Sequence, residues 1–85
     1  MRNISFTPTS FSQFNEWRSV NKKMQDRIIK LLEEIQRTPF EGTGKPEPLK
    51  HNLKGLWSRR IDDEHRLVYE VTNDEVIVIS CKYHY

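Results

Sequence analysis

Apolar positions change period twice in the first half of the chain. Ile4 and Phe6 alternate with Asn3, Ser5 and Thr7, which is the pattern of a half-buried strand and predicts one over residues 2–7. Thr7-Pro8 then marks a helix start. Threonine caps the open N–H groups, and proline at the first helical position gives up an N–H that would be unpaired anyway. Phe11, Phe14 and Trp17 recur at helical spacing, so a first helix is predicted from Pro8 to about Ser19. Val20-Asn21 breaks it, and Asn21 can cap a second helix. Met24, Ile28, Leu31, Leu32 and Ile35 form one apolar stripe, with Lys22, Lys23, Asp26, Arg27, Lys30, Glu33 and Glu34 on the other sides. Such a stripe is a core face rather than a cofactor site. Thr38-Pro39 ends the helix, because a residue before proline is pushed out of helical geometry.

Residues 39–48 hold three of the four prolines and two of the three glycines, and they read as the longest irregular segment. Pro46 and Pro48 flank Glu47 and restrict it to extended geometry, which stiffens a carboxylate at low entropic cost. Gly44-Lys45 is not a phosphate-binding loop: Pro46 stands at the Ser/Thr position and no helix can follow. Strand alternation is predicted for Leu49–Leu53, Leu56–Ile61, His65–Val71 and Val76 to about Tyr83, with turns at Gly55, Asp62-Asp63-Glu64 and Thr72–Glu75. The expected fold is α+β in one domain, residues 1–85. It has an N-terminal strand, a helical hairpin, then antiparallel strands forming one sheet packed on the two helices.

Alternation also sorts side chains between the two sheet faces. Leu67, Tyr69 and Val71 should face the helices, with Trp57 and Ile61, and with Ile77, Ile79 and Cys81 from the last strand. Arg60, Arg66, Lys82 and His84 then fall on the opposite face, with Lys50 near them. Arg59 is the exception within the apolar set and is expected at the sheet edge, its head in water.

Composition narrows the function. With 85 residues and 35% apolar residues there is room for one small core, and none for a dinucleotide-binding fold or a barrel. No apolar run approaches the roughly 18 residues of a membrane span, and the start lacks the apolar block of a secretory signal. One cysteine allows no disulfide within these residues, so a reducing cytoplasm is the expected compartment. The net charge is only +2, but Lys45 to Arg60 holds five Lys/Arg residues and one acid, Glu47. Clustered positive charge points to a polyanion, and arginine's planar donors suit phosphate oxygens. Cys81 and His84 are three apart on a strand, which sends them to opposite faces and argues against a metal pair. Asp62-Asp63-Glu64 is a solvated corner rather than a metal site.

Several stretches resemble the YoeB toxins of the RelE/ParE superfamily. They are Thr38-Pro39-Phe40-Glu41-Gly42, Lys45-Pro46-Glu47-Pro48-Leu49-Lys50-His51-Asn52-Leu53, Trp57-Ser58-Arg59-Arg60-Ile61, Glu64-His65-Arg66-Leu67-Val68-Tyr69 and the ending Tyr83-His84-Tyr85. The resemblance spans nearly the whole chain and is densest from Thr38 onward. It implies a RelE-like, microbial-ribonuclease-like fold. It also implies an mRNA endonuclease of the ribosomal A site that uses no metal or other cofactor. The implied partners are a YefM-type antitoxin, the 70S ribosome and mRNA, with operator DNA met only through the toxin–antitoxin complex; a homodimer is left open.

By matched position, Glu47 would be the general base, His84 the general acid and Arg66 the stabiliser of the transition state. Tyr85 would join the catalytic set, and Lys50, Arg60 and Glu64 would bind substrate. The chemistry fits independently. Metal-free RNA cleavage needs a base for the 2′-OH proton, an acid for the leaving oxygen and cations over the phosphate. The alternative is a non-catalytic ParE-like toxin that binds a protein such as a topoisomerase. A poison of that kind needs no acid–base set.

Overall fold

The computed structural model describes residues 1–83. Along the chain run β1 (Asn3–Phe6), α1 (Pro8–Val20), α2 (Lys22–Ile35), β2 (Glu47–Pro48), a 3₁₀ turn (His51–Leu53), β3 (Trp57–Arg60), β4 (Arg66–Val71) and β5 (Glu75–Ser80). Thr7 caps α1 as expected, its Oγ1 accepting the Ser10 N–H at 3.1 Å. Asn21 stands at the N-cap of α2, but its side chain makes no capping bond. Its own N–H closes α1 by donating to Trp17 O at 2.9 Å.

The five strands form one sheet in the order β1-β5-β4-β3-β2. β2 to β5 pair antiparallel, and β1 adds to β5 in parallel. The two helices cover one sheet face. Met24, Ile28, Leu31, Leu32 and Ile35 of α2 are all buried, together with Trp17 of α1, against Leu67, Tyr69, Val76, Val78 and Cys81. The stripe read from the sequence is therefore the helix half of the core.

Five expectations are corrected. Leu49–Leu53 is not a strand. The edge strand is Glu47–Pro48, and the chain then coils through His51–Leu53, with His51 in left-handed geometry (φ 59°). In β5 the core set is Val76 and Val78, both fully buried, while Ile77 and Ile79 are only part-buried. Both sets are apolar, so alternation alone could not choose between them. A register shift lies between Val68 and Tyr69: Ser80 pairs with Val68 and Val78 with Tyr69, which leaves Ile79 as an extra residue. This bulge resets the alternation, so Cys81 is fully buried although Val78 is as well.

Strand β5 also ends at Ser80, short of the expected Tyr83, and Lys82 does not join the arginine face. Lys82 Nζ pairs with Glu16 Oε1 of α1 and lies 5.5 Å from the Trp17 ring centroid. Finally, Arg59 is not at the edge with its head in water. It is completely buried.

Candidate functional site

Glu47 is presented by a segment that is tied down along its length. Arg59 Nη1 pairs with Glu34 and donates to Thr43 O, and Nη2 donates to Thr38 O and Glu41 O at 2.7 and 2.9 Å. Gly44 O accepts the Arg60 N–H at 2.7 Å, and Gly44 has φ +86°. A Cβ on Gly44 would lie 2.8 Å from Arg60 O, so the close approach needs glycine. From there Pro46 and Pro48 hold Glu47 extended, and Glu47 takes its place in the sheet opposite Ser58.

Across the sheet, Arg66 Nη1 lies 3.4 Å from Glu47 Oε1, with the carboxylate side chain about half exposed and the arginine one-quarter exposed. Arg60 sits directly opposite Arg66 in the β3–β4 register. Like charges facing each other in a ladder are destabilising. Here an acid partners each one: Asp63 Oδ1 lies 2.5 Å from Arg60 Nη2, and Glu47 accompanies Arg66. Lys50 and Glu47 line the same hollow of about 350 Å³, walled by the turn through Leu53. Glu64 is exposed on the β3–β4 turn, its Oε1 3.7 Å from His65 Nε2. The structure thus gathers Glu47, Arg66, Arg60 and Lys50 and leaves Glu64 at the rim. His84 and Tyr85 lie outside the described residues.

Among the described residues, three non-glycine ones have left-handed backbones: Lys45 (φ 52°), His51 (φ 59°) and Tyr83 (φ 65°). Each lies within two residues of one picked from the sequence: Lys45 is two before Glu47, His51 follows Lys50, and Tyr83 precedes His84. Such conformations cost about 1–3 kcal/mol each and persist only where surrounding contacts hold them.

Sequence reasoning missed two residues that shape this region. Arg59 was legible only as an oddity, a cation within an apolar set. His65 was masked by its place in an ordinary strand start. It is buried, its Nδ1 accepts the Tyr83 N–H at 2.7 Å, and its ring packs edge-on against Trp17. Cys81 is no nucleophile: burial pushes its thiol up to about 12. Among the described residues no group of three or more His, Cys, Asp or Glu side chains is placed to hold a metal ion. Asp62 instead folds its own turn, with Oδ1 accepting the N–H groups of Glu64 and His65 at 2.8 and 2.7 Å.

One face of the sheet is buried under the helical hairpin, and the other carries a carboxylate among cations. The family model for the YoeB-like toxin of bacterial type II toxin–antitoxin systems matches residues 6–85. Toxin YoeB of Escherichia coli (strain K12) is 53% identical over 82 residues, covering 96% of this chain and 98% of that protein.

Two solved structures extend the match to three dimensions. The YoeB dimer from Staphylococcus aureus superposes with a TM-score of 0.92 at 48% identity, covering 99% of this chain and 98% of that one. The YoeB-YefM complex from the same organism gives 0.91 at 49% identity, covering 100% and 99%. The chain belongs to the YoeB toxin family.

Proposed function

We propose that this chain is a metal-independent endoribonuclease that cleaves mRNA in the A site of the 70S ribosome and so inhibits translation. The observation that carries the reading is the Glu47–Arg66 pair, at 3.4 Å, with Arg60 directly across the ladder from Arg66. A carboxylate among fixed cations on an open sheet face suits one job: taking a proton from a nucleophile that attacks an anionic phosphorus.

The reaction uses the substrate's own 2′-OH. Glu47 takes the 2′-OH proton as O2′ attacks the adjacent phosphorus. Arg66, with Arg60 beside it, stabilises the extra negative charge of the five-coordinate phosphorane. The P–O5′ bond then breaks, and His84 gives its proton to the departing O5′. The products are a 2′,3′-cyclic phosphate and a 5′-hydroxyl, with no water consumed. Lys50 and Glu64 contact the RNA flanking the scissile phosphate, and Tyr85 completes the catalytic set.

The S. aureus YoeB-YefM complex supports a YefM-type antitoxin as the partner that neutralises this chain. That complex would also repress its own operon, DNA being reached only through it. The S. aureus dimer supports self-association of the free toxin. No described helix is long and apolar enough to cross a membrane, and an enzyme working on ribosomes belongs in the bacterial cytoplasm.

The test is cleavage-end mapping of a defined mRNA on purified 70S ribosomes, with naked mRNA as control and with EDTA added once ribosome integrity is verified. Cuts confined to the A-site codon, insensitive to the chelator and reduced more than about tenfold by His84→Gln with ribosome binding retained, support the reading. Equal loss of cleavage and binding in that variant, or cutting of naked RNA at the same sites and rates, contradicts it.

A further inference from the structure

The three residues that follow β5 are held mostly by side chains. Gln13 Oε1 of α1 accepts the Cys81 N–H at 2.8 Å, and Trp17 Nε1 donates to Cys81 O at 2.8 Å. Glu16 pairs with Lys82. Tyr83 is bound through both of its backbone polar groups: its N–H donates to His65 Nδ1 at 2.7 Å, and its C=O accepts the Arg66 N–H at 3.0 Å. The residue so gripped has a left-handed backbone, a conformation a tyrosine does not adopt unaided.

His65 is the one member of this clasp whose function depends on a tautomer. An Nδ1 that accepts a hydrogen bond carries no proton, so the imidazole proton resides on Nε2, which points toward the Glu64 carboxylate 3.7 Å away. The ring cannot swing to another partner, because Trp17 packs edge-on against it with centroids 4.7 Å apart and Tyr83 stacks obliquely at 5.6 Å. Asp62 fixes its backbone by accepting its N–H. These contacts end at Tyr83, one residue before His84 in the sequence, and His65 directly precedes Arg66, the first residue of β4.

We propose that His65 is a positioning residue: through Nδ1 it fixes the backbone of Tyr83, the residue that precedes His84 in the sequence. This rests on the assignment of His84 as the acid in RNA cleavage. His65 itself exchanges no proton with substrate. His65 immediately precedes Arg66 at the start of β4, so the residue that anchors the Tyr83 N–H and the phosphate cation are neighbours in the chain. A misplacement of about 1 Å at a reacting group is enough to cost about 100-fold in rate.

The experiment follows Tyr83 and the reaction separately. Amide hydrogen exchange at Tyr83, read by NMR on the purified toxin, should speed up by about tenfold or more in His65→Leu, which keeps bulk but removes the acceptor. His65→Asn, whose Oδ1 can stand in for Nδ1, should restore slow exchange. On programmed ribosomes, His65→Leu should lower kcat by about tenfold or more with KM within about twofold of wild type, and His65→Asn should recover most of it.

Should His65→Leu fail to fold, the wild-type protein still decides. ¹⁵N shifts of the His65 ring should report a bare Nδ1 with a coupling to the Tyr83 amide proton, and a proton on Nδ1 would overturn the proposal. Unchanged Tyr83 exchange in a folded His65→Leu would overturn it as well. If exchange responds as expected while wild type cleaves no ribosome-bound mRNA, the contact stands and the nuclease reading is the part that fails.

Discussion

Arg59 Nε donates to the Tyr69 hydroxyl at 3.2 Å, and that hydroxyl passes its own proton to Pro39 O at 2.7 Å. The remaining donors of the guanidinium go to Glu34, Thr43 O, Thr38 O and Glu41 O. All five N–H groups of a completely buried arginine are thus matched. Four of the six groups in this network are backbone carbonyls of residues 38–43, so the cation acts as a template for the loop that leads to Glu47.

Removing that template should be expensive. Arg59→Met takes the arginine's donors away from three carbonyls, the Glu34 carboxylate and the Tyr69 hydroxyl, and a cost of about 3–5 kcal/mol is expected. Tyr69→Phe removes two hydrogen bonds, one accepted from Arg59 Nε and one donated to Pro39 O, and should cost about 1–2 kcal/mol. Urea denaturation of both variants checks this. A loss below about 1 kcal/mol for Arg59→Met would mean that the loop is held by other means.

Acid should weaken the same loop. The Thr43 backbone N–H, and then the Arg59 and Thr43 side chains, hold the Glu34 carboxyl below its ordinary value of 4.5 in spite of some desolvation. Burial raises Asp62, but the His65 and Glu64 N–H groups outweigh it and leave Asp62 below 3.8. Carboxyls lowered on folding stabilise the native state fully above their ordinary values, and that contribution is lost as pH falls through their folded ones. Stability should therefore decline as pH falls below about 4.5. The decline should be shallower in Glu34→Gln, as thermal melts across that range would register. An equal slope in wild type and variant would remove Glu34 from the account.

Cys81 gives a simpler expectation. A thiol with no exposed surface and an ionisation near 12 forms almost no thiolate at neutral pH. An aromatic disulfide reagent at pH 8 should react with the unfolded chain at once and with the native toxin only as fast as it opens. Immediate stoichiometric reaction of the native protein would show that the 81–83 segment is not seated as described.

Much of this was written in the sequence, and the gaps have physical causes. The α2 stripe was legible because only one helical face is apolar. Glu47 stood out because prolines on both sides leave its backbone one choice, and Arg66 because its strand neighbours Leu67 and Tyr69 fix its face. The face of β5 was not legible: Val76 and Val78 compete with Ile77 and Ile79 on equal terms, and a bulge has no compositional mark here. Leu49 and Leu53 misled because a spacing of four suits a strand and a turn alike. Arg59 could not be read as buried, since its partners are main-chain carbonyls, which any sequence supplies. His65 was hidden for the same reason, its partner being the Tyr83 amide.

The central claim is that the RNA's own 2′-OH is the nucleophile and that Glu47 prepares it. One measurement addresses this directly: cleavage of ribosome-bound mRNA carrying a single 2′-deoxynucleotide immediately 5′ to the scissile phosphate, compared with the all-ribose message. The account predicts that cleavage at that bond disappears while binding to the ribosome is unchanged. Cleavage at the same bond and a similar rate without the 2′-OH would mean that water or a protein group attacks the phosphorus, and would contradict it.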